Sequence, residues 1–298
     1  MKKMSIALER EIMQVVKSDY SGLLKVEYHS KNGVFKQAIK LDRNDCSPVL
    51  FMDNMPDLFP EMFACARPDA GKIVSVVYDM MRISVESVEA FKNAGGFEGI
   101  DDAYILENVF PALLPEKAAV DVFIPFMDMK IVFKVRLKEH PDATFTVNKT
   151  MMNGLTEAEL FLASLKNVSR LSAPCLLRMP EIVSILPDGE MKVLTNTEKF
   201  YGAAAIIYGM DKIRDLAEKE GSDIVIIPSS VHECILLPYD ESMPFELLNA
   251  MVNEVNTSEV KEEEILSDHV YMYDRKADRI ITDTIYQEKM DIKNRKSA

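Results

Sequence analysis

Leu23-Leu24-Lys25-Val26-Glu27-Tyr28-His29 and Val34-Phe35-Lys36-Gln37-Ala38-Ile39-Lys40-Leu41 are joined through Lys31-Asn32-Gly33. Both runs are strand-like, and Asn-Gly supplies the positive φ angles that a tight hairpin turn needs. The stretch reads as a β-hairpin. Residues 3–17 before it read as a helix, with Leu8, Ile12 and Val15 on one face. After it, Pro56 opens a short helix over 56–66, and a longer one covers 70–92. Ile73, Val77, Met80, Met81, Val88 and Phe91 recur there at helical spacing, until Ala94-Gly95-Gly96 stops it. A further helix covers 101–110.

Residues 119–126 and 128–138 read as strands. Met129, Ile131, Phe133, Val135 and Leu137 alternate with Lys130, Lys134, Arg136 and Lys138. That pattern describes a half-buried strand with a basic solvent face. Phe145 and Val147 continue a partner strand. Thr156 and Glu159 have capping-box spacing and start a helix that runs to about Ser169.

Pro174, Pro180 and Pro187 mark an irregular connection over 170–190, taken as a lobe boundary. Beyond it, Tyr201–Tyr208 reads as a buried strand or tight apolar segment, and 210–220 as a helix capped by Gly221. Ile224–Ile227 and Cys234–Leu237 read as central strands, 243–255 as a helix, and Val270–Tyr273 with Arg279–Thr282 as a last hairpin. The expected fold class is α+β: mixed sheets with helices packed on them, an N-terminal β-hairpin and a C-terminal α/β lobe. The expected organisation is an N-terminal lobe over 1–172, a C-terminal lobe over 173–285 and a polar tail over 286–298.

Composition bounds function. With 48% hydrophobic residues in 298, the chain can bury a large core. A net charge of −13 repels phosphate backbones and anionic membranes, so direct nucleic-acid binding is disfavoured. The acidity serves solubility, or it mimics nucleic acid in a partner's basic groove. Cys46, Cys65, Cys175 and Cys234 are far apart, which suggests neither a zinc knuckle nor a disulfide framework. Glu9, Arg10 and Glu11 interrupt any signal-peptide core, and no stretch approaches the length of a membrane span. A cytoplasmic protein without cofactor or metal is expected.

Tyr201-Gly202-Ala203-Ala204-Ala205, Gly221-Ser222-Asp223, Ile227-Pro228-Ser229-Ser230-Val231-His232-Glu233, Asn253-Glu254-Val255-Asn256 and the run Leu266–Arg275 (LSDHVYMYDR) form an ordered set. They closely resemble an uncharacterised bacterial family of unknown function, common in anaerobic gut bacteria. The match is dense over residues 194–282; over 1–170 only the layout is similar. The resemblance implies a cytosolic bacterial protein from genomes rich in mobile elements. It brings no catalytic residues.

The most suggestive chemistry lies at Ser230, His232 and Cys234, spaced two apart. On one strand they would share a face, where a hydroxyl or thiol and an imidazole could act as nucleophile and base. The plainer alternative is a hairpin turn through Pro228-Ser229-Ser230-Val231, with hydroxyls bonding local backbone. His232-Glu233 opens like a zincin motif, but position 236 is Leu, so a metal would need His269 or Asp268 from a distance. Pro187-Asp188-Gly189-Glu190-Met191-Lys192 has the letters of a PD…ExK nuclease, but contiguous rather than on converging strands; it reads as a turn. Ala94–Gly99 is glycine-rich without matching a phosphate-binding loop. Glu262-Glu263-Glu264 reads as a solvated helix face or as an acidic contact for a basic partner.

Three function classes follow. The favoured one is a non-catalytic accessory or regulatory factor whose partner is another protein. The second is a hydrolase using Ser230, His232 or Cys234. The third is a small-molecule sensor with its ligand between the lobes.

Overall fold

The computed structural model describes residues 4–43, 47–93, 100–138, 144–178, 191–240, 242–258 and 260–297. The chain divides into two compact units, Met1–Asp101 and Asp102–Ala298. The fold is α+β, and its three sheets are antiparallel at every pairing among the described residues.

The first unit opens with α1 (Ile6–Asp19), whose first turn is capped by Ser5 Oγ accepting from Leu8 N–H at 3.2 Å. The hairpin follows as β1 (Leu24–Lys31) and β2 (Val34–Leu41). Asn32 (φ 51°) and Gly33 (φ 87°) take the left-handed conformations that the turn requires. β3 (Val49–Phe51) completes the sheet in the order β1-β2-β3. The helix expected over 56–66 is broken into two single turns, α2 (Met55–Leu58) and α3 (Pro60–Phe63). Pro60 lacks the N–H that a continuous helix would use. α4 (Ala70–Asn93) then packs with α1 over the sheet: Leu8, Ile12 and Val16 meet Ile73, Val74, Val77 and Met81 above Leu24, Ile39, Leu41 and Leu50.

The second unit begins with α5 (Asp102–Asn108), which runs into β4 (Val109–Pro115). β5 (Ile124–Phe126), β6 (Met129–Arg136) and β7 (Thr144–Thr146) complete a four-stranded sheet in which β6 is central. Most of the expected 119–126 strand is irregular; only its last three residues pair with β6. α6 (Glu157–Leu171) starts with the expected capping box at Thr156 and Glu159 and packs on β4. Asn167 Nδ2 ties it to the Leu106 and Val109 carbonyls, each at 2.9 Å.

A six-stranded sheet follows. It is built from β8 (Pro174–Arg178), β9 (Lys192–Asn196), and, after α7 (Ala205–Tyr208) and α8 (Met210–Glu220), β10 (Ile224–Ser230) and β11 (Glu233–Pro238). After α9 (Phe245–Ser258), β12 (Tyr271–Asp274) and β13 (Arg279–Thr282) close it, and α10 (Asp283–Ser297) ends the chain. The strand order is β13-β12-β10-β11-β9-β8, so the two apolar runs expected to be central are central. The 172/173 junction expected from the prolines lies inside this unit, where Asn196 Nδ2 donates to Ser172 Oγ at 2.8 Å.

Two expectations are refined here. Tyr201–Tyr208 is the tight apolar alternative rather than a strand: a buried 3-10 turn over Gly202–Ala204 followed by α7. A short buried apolar run carries no periodicity that separates strand from helix. The segment 286–297, expected as a polar tail, is part of α10. Tyr286 is buried, and its hydroxyl donates to Asp223 Oδ2 at 2.6 Å, while Lys289 pairs with buried Asp274.

Candidate functional site

The β10–β11 hairpin sits over the loop Asn196–Gly202. The turn falls at Val231-His232, two residues later than expected, with Ser230 opposite Glu233 after a register shift. Ser230, His232 and Cys234 are thus the end of one strand, a turn residue and a residue of the next strand, not three positions on one strand face. Ser230 Oγ accepts the His232 backbone N–H at 3.1 Å, and Ser229 Oγ donates to the Glu233 carbonyl at 3.1 Å. His232 Nδ1 accepts the Tyr201 N–H at 3.2 Å, which places the proton of the neutral ring on Nε2. Cys234 is buried, its Sγ 3.8 Å from the Ala203 carbonyl, and burial pushes its thiol far up. These are local bonds that hold the hairpin to the loop. Ser230 Oγ accepts a backbone N–H of its own turn and the imidazole Nδ1 is taken up by Tyr201, so both groups serve the hairpin.

The loop beneath is tightly specified. Asn196 is buried, with Nδ2 donating to the Phe200 carbonyl at 2.9 Å and Oδ1 accepting the Phe200 N–H at 3.2 Å. Lys199 (φ 53°) and Tyr201 (φ 52°) are left-handed, which costs non-glycine residues energy. Gly202 is there because nothing larger fits. A Cβ would lie 2.2 Å from Thr195 Oγ1, 2.5 Å from the His232 carbonyl oxygen and 2.7 Å from the Asn196 nitrogen. Phe200, Tyr201 and His232 form an aromatic cluster, with Phe200 stacked on His232 at 5.6 Å and edge-on to Tyr201 at 4.5 Å. Glu233 sits beside it; burial raises its carboxyl, opposed by Lys199.

Under Tyr201 lies a residue whose alternation on β6 predicts a solvent-facing side chain. Lys134, on β6, is 7% exposed, and Val132 on the same face is fully buried. The expected basic solvent face is covered at Lys134, half-covered at Lys130 and Arg136, and exposed at Lys138. Its cations are each matched to a ring: Lys130 to Phe123 at 4.8 Å, Lys134 to Tyr201 at 4.1 Å, Arg136 to Phe110 at 5.5 Å and Lys138 to Tyr104 at 5.4 Å. Lys138 and Arg136 also face carboxylates, Glu107 at 2.8 Å and Glu198 at 3.6 Å. Lys134 instead donates to Thr146 Oγ1 at 3.1 Å, and desolvation pulls its amine down to about 8. Burial first, and Glu264 second, raise the Tyr201 phenol. Nothing in the alternation of β6 distinguishes Lys134 from its neighbours. The aromatic that covers it arrives from 67 positions later in the chain.

The acidic run Glu262–Glu264 is a turn rather than a helix face. Glu262 is exposed, Glu263 is buried, and the Glu264 carbonyl accepts the Val231 N–H at 2.9 Å, locking the turn onto the hairpin.

The Leu266–Arg275 motif is held by asparagines of α9. Asn256 Nδ2 donates to the Ser267 carbonyl (3.1 Å) and to Asp268 Oδ1 (2.8 Å). Asn253 Nδ2 reaches the Asp268 carbonyl (3.3 Å), and Asn249 Oδ1 accepts the Val270 N–H (2.9 Å). Ser267 Oγ and the Tyr271 hydroxyl both donate to Asp128. Asp274 caps its own turn through the Lys276 and Ala277 N–H groups. His269 is exposed, and its N–H donates to Ser267 Oγ at 3.0 Å. Asp268 and His269 therefore serve or flank this loop rather than converge on His232. Among the described residues no group of three or more His, Cys, Asp or Glu is placed to hold a metal, and no helix is long and apolar enough to cross a membrane. The Ala94–Gly99 stretch, Pro187–Glu190 and Cys46 lie outside the described residues.

Two shallow clefts lie away from the hairpin. One of about 440 Å³ is lined by Leu106, Glu159, Leu162 and Lys166 between α5 and α6. The other, of about 260 Å³, is lined by Glu246, Asn249, Asp283, Gln287 and Asp291 between α9 and α10.

No curated protein and no solved structure matches the chain. A family model does match, over residues 6–275, and it spans both units and every motif described above. The chain belongs to that family, DUF5688, a family of unknown function.

Proposed function

We propose that this chain is a non-catalytic protein-binding factor with an accessory or regulatory role. The observation that carries the reading is in the first unit. Tyr28 and Phe35 are 68% and 73% exposed, on one face of the β1–β2 hairpin. The register places Tyr28 opposite Gln37 and Phe35 opposite Ser30, so the rings are diagonal neighbours. Aromatic side chains are enriched in the cores of protein interfaces, where they carry much of the binding energy. The reading is supported from the second unit, where the hydroxyl, imidazole and thiol of the hydrolase alternative are engaged in holding the β10–β11 hairpin. Of the acidic run, Glu262 is the residue available as a further contact.

The test is capture from a lysate of the source organism with quantitative mass spectrometry, comparing the wild-type chain with the Tyr28→Ser/Phe35→Ser variant. The expected result is one protein at near-stoichiometric yield, lost with the variant while thermal stability is kept. A partner retained equally by both baits, or none, contradicts the reading.

A further inference from the structure

We propose that β1 is a strand-addition edge. Its occupant is an extended segment of a partner protein in which acidic and apolar side chains alternate. This rests on the protein-binding reading above and specifies the partner's chemistry.

β1 is terminal in its sheet and eight residues long, against three for β3 at the other edge. The pair Lys31↔Val34 closes the two-residue turn, and Asp42 N–H donates to the Leu23 carbonyl at 2.8 Å. In an antiparallel ladder these fix the hydrogen-bonded positions of β1 at Lys25, Glu27, His29 and Lys31. The backbone N–H and C=O groups of Val26, Tyr28 and Ser30 therefore point away from β2. Among the described residues no hydrogen bond reaches them. They form a row of donors and acceptors ready for another strand.

The two faces of that edge differ in chemistry. Tyr28 and Phe35 are on one. Lys25, His29, Lys31, Lys36 and Lys40 are on the other, with Glu27, which faces His29 at 3.4 Å and Lys40 at 3.6 Å, and with buried Val34 and Ala38. This is a basic face in a chain of net charge −13. Asp42 and Asp53 pair with Lys25 and Lys36 from outside the hairpin, and Lys31 lies over the Phe51 ring at 5.8 Å, but the Lys25–Asp42 pair is solvent-exposed. Exposed pairs contribute little, so an incoming carboxylate can exchange for Asp42. Successive residues of an added strand point to opposite faces. One set would meet Tyr28 and Phe35, the other Lys25 and Lys31. Lysines also guard edges against unwanted pairing. A guarded edge, however, has no use for two exposed aromatic rings beside its lysines.

The test uses the full chain and a fluorescent ten-residue peptide alternating Glu and Val, followed by anisotropy. A Lys–Val peptide is the control. Saturable binding of the Glu–Val peptide alone is expected, weakening as salt rises. Ser30→Pro should weaken it at least tenfold, because the Ser30 N–H faces away from β2 and its loss leaves the hairpin ladder intact. Lys25→Glu/Lys31→Glu should reverse the preference between the peptides, and it decides the matter if Ser30→Pro does not fold. Equal binding of both peptides, no binding up to about 1 mM, or self-association lost with Ser30→Pro overturns the proposal. If the peptide fails while Tyr28- and Phe35-dependent capture persists, strand addition alone is wrong. If both fail, the protein-binding reading falls with it.

Discussion

Lys134 Nζ stands 4.1 Å from the centroid of the Tyr201 ring, joining the central strand of one sheet of the second unit to the loop that supports the β10–β11 hairpin. The amine is buried, and its other polar contact is the Thr146 hydroxyl. This geometry keeps a cation where desolvation opposes it and, among the described residues, a ring face and a hydroxyl compensate.

Stability should depend on pH through this residue. The folded-state pKa is about 8, against 10.5 for a free lysine. Between those values the unfolded chain binds more protons than the folded one, so stability rises with pH across the window. Below pH 8 the cost of the buried charge is fully present, at about 3 kcal/mol. Lys134→Met removes it. The stability of that variant relative to wild type, measured by urea unfolding, should fall by about 3 kcal/mol between pH 7 and pH 10.5. A difference that stays constant would show that Lys134 is not desolvated.

Gly202→Ala should destabilise the second unit by about 3 kcal/mol. Two of the three atoms its Cβ would strike are backbone, at His232 and Asn196, and cannot swing aside. Calorimetry is the check, and a neutral substitution would mean that the loop packs less tightly than described.

Asn256→Ala should cost about 2 kcal/mol by leaving the Ser267 carbonyl without its buried donor. Amide hydrogen exchange should speed up locally over residues 267–270. Unchanged exchange there would remove the asparagine lock as the reason for the motif.

Native-state alkylation should separate the cysteines. Cys65 is exposed and should react with iodoacetamide at once. Cys234, buried and with its thiol pushed up, should react only on unfolding. Rapid labelling of Cys234 in the folded protein would return it to consideration as a nucleophile.

Glu263→Lys should be strongly destabilising, by about 3 kcal/mol or more, and Glu262→Lys nearly neutral. The first residue is buried and the second exposed, although they are adjacent in an acidic run. Paired chemical denaturation curves would show it; equal effects would contradict the burial.

What was legible in the sequence was local. Asn32-Gly33 announced the first hairpin, Thr156 and Glu159 the start of α6, and Gly221, at φ 69°, the end of α8. What was not legible came from partners distant in sequence. The alternation on β6 made Lys134 look solvent-facing because Tyr201, which covers it, lies far along the chain. The acidic run looked like a solvated helix because charge density alone does not reveal that Glu263 turns inward. Tyr201–Tyr208 gave no usable period, and close packing at Gly202 accompanied the helical choice. The spacing of Ser230, His232 and Cys234 suggested one strand face, but a turn at Val231-His232 intervenes. On the first unit, the alternation of β1 and β2 was readable. That α1 and α4 leave Tyr28 and Phe35 uncovered was not.

Binding of another protein to the Tyr28–Phe35 face of the first hairpin can be read most directly by photocrosslinking in the living source organism. Benzoylphenylalanine would be placed at position 35 and, as a control, at exposed Asp79 on α4. One dominant crosslinked protein is expected from position 35, and none in common with position 79. No product from position 35, or the same products from both positions, would contradict it.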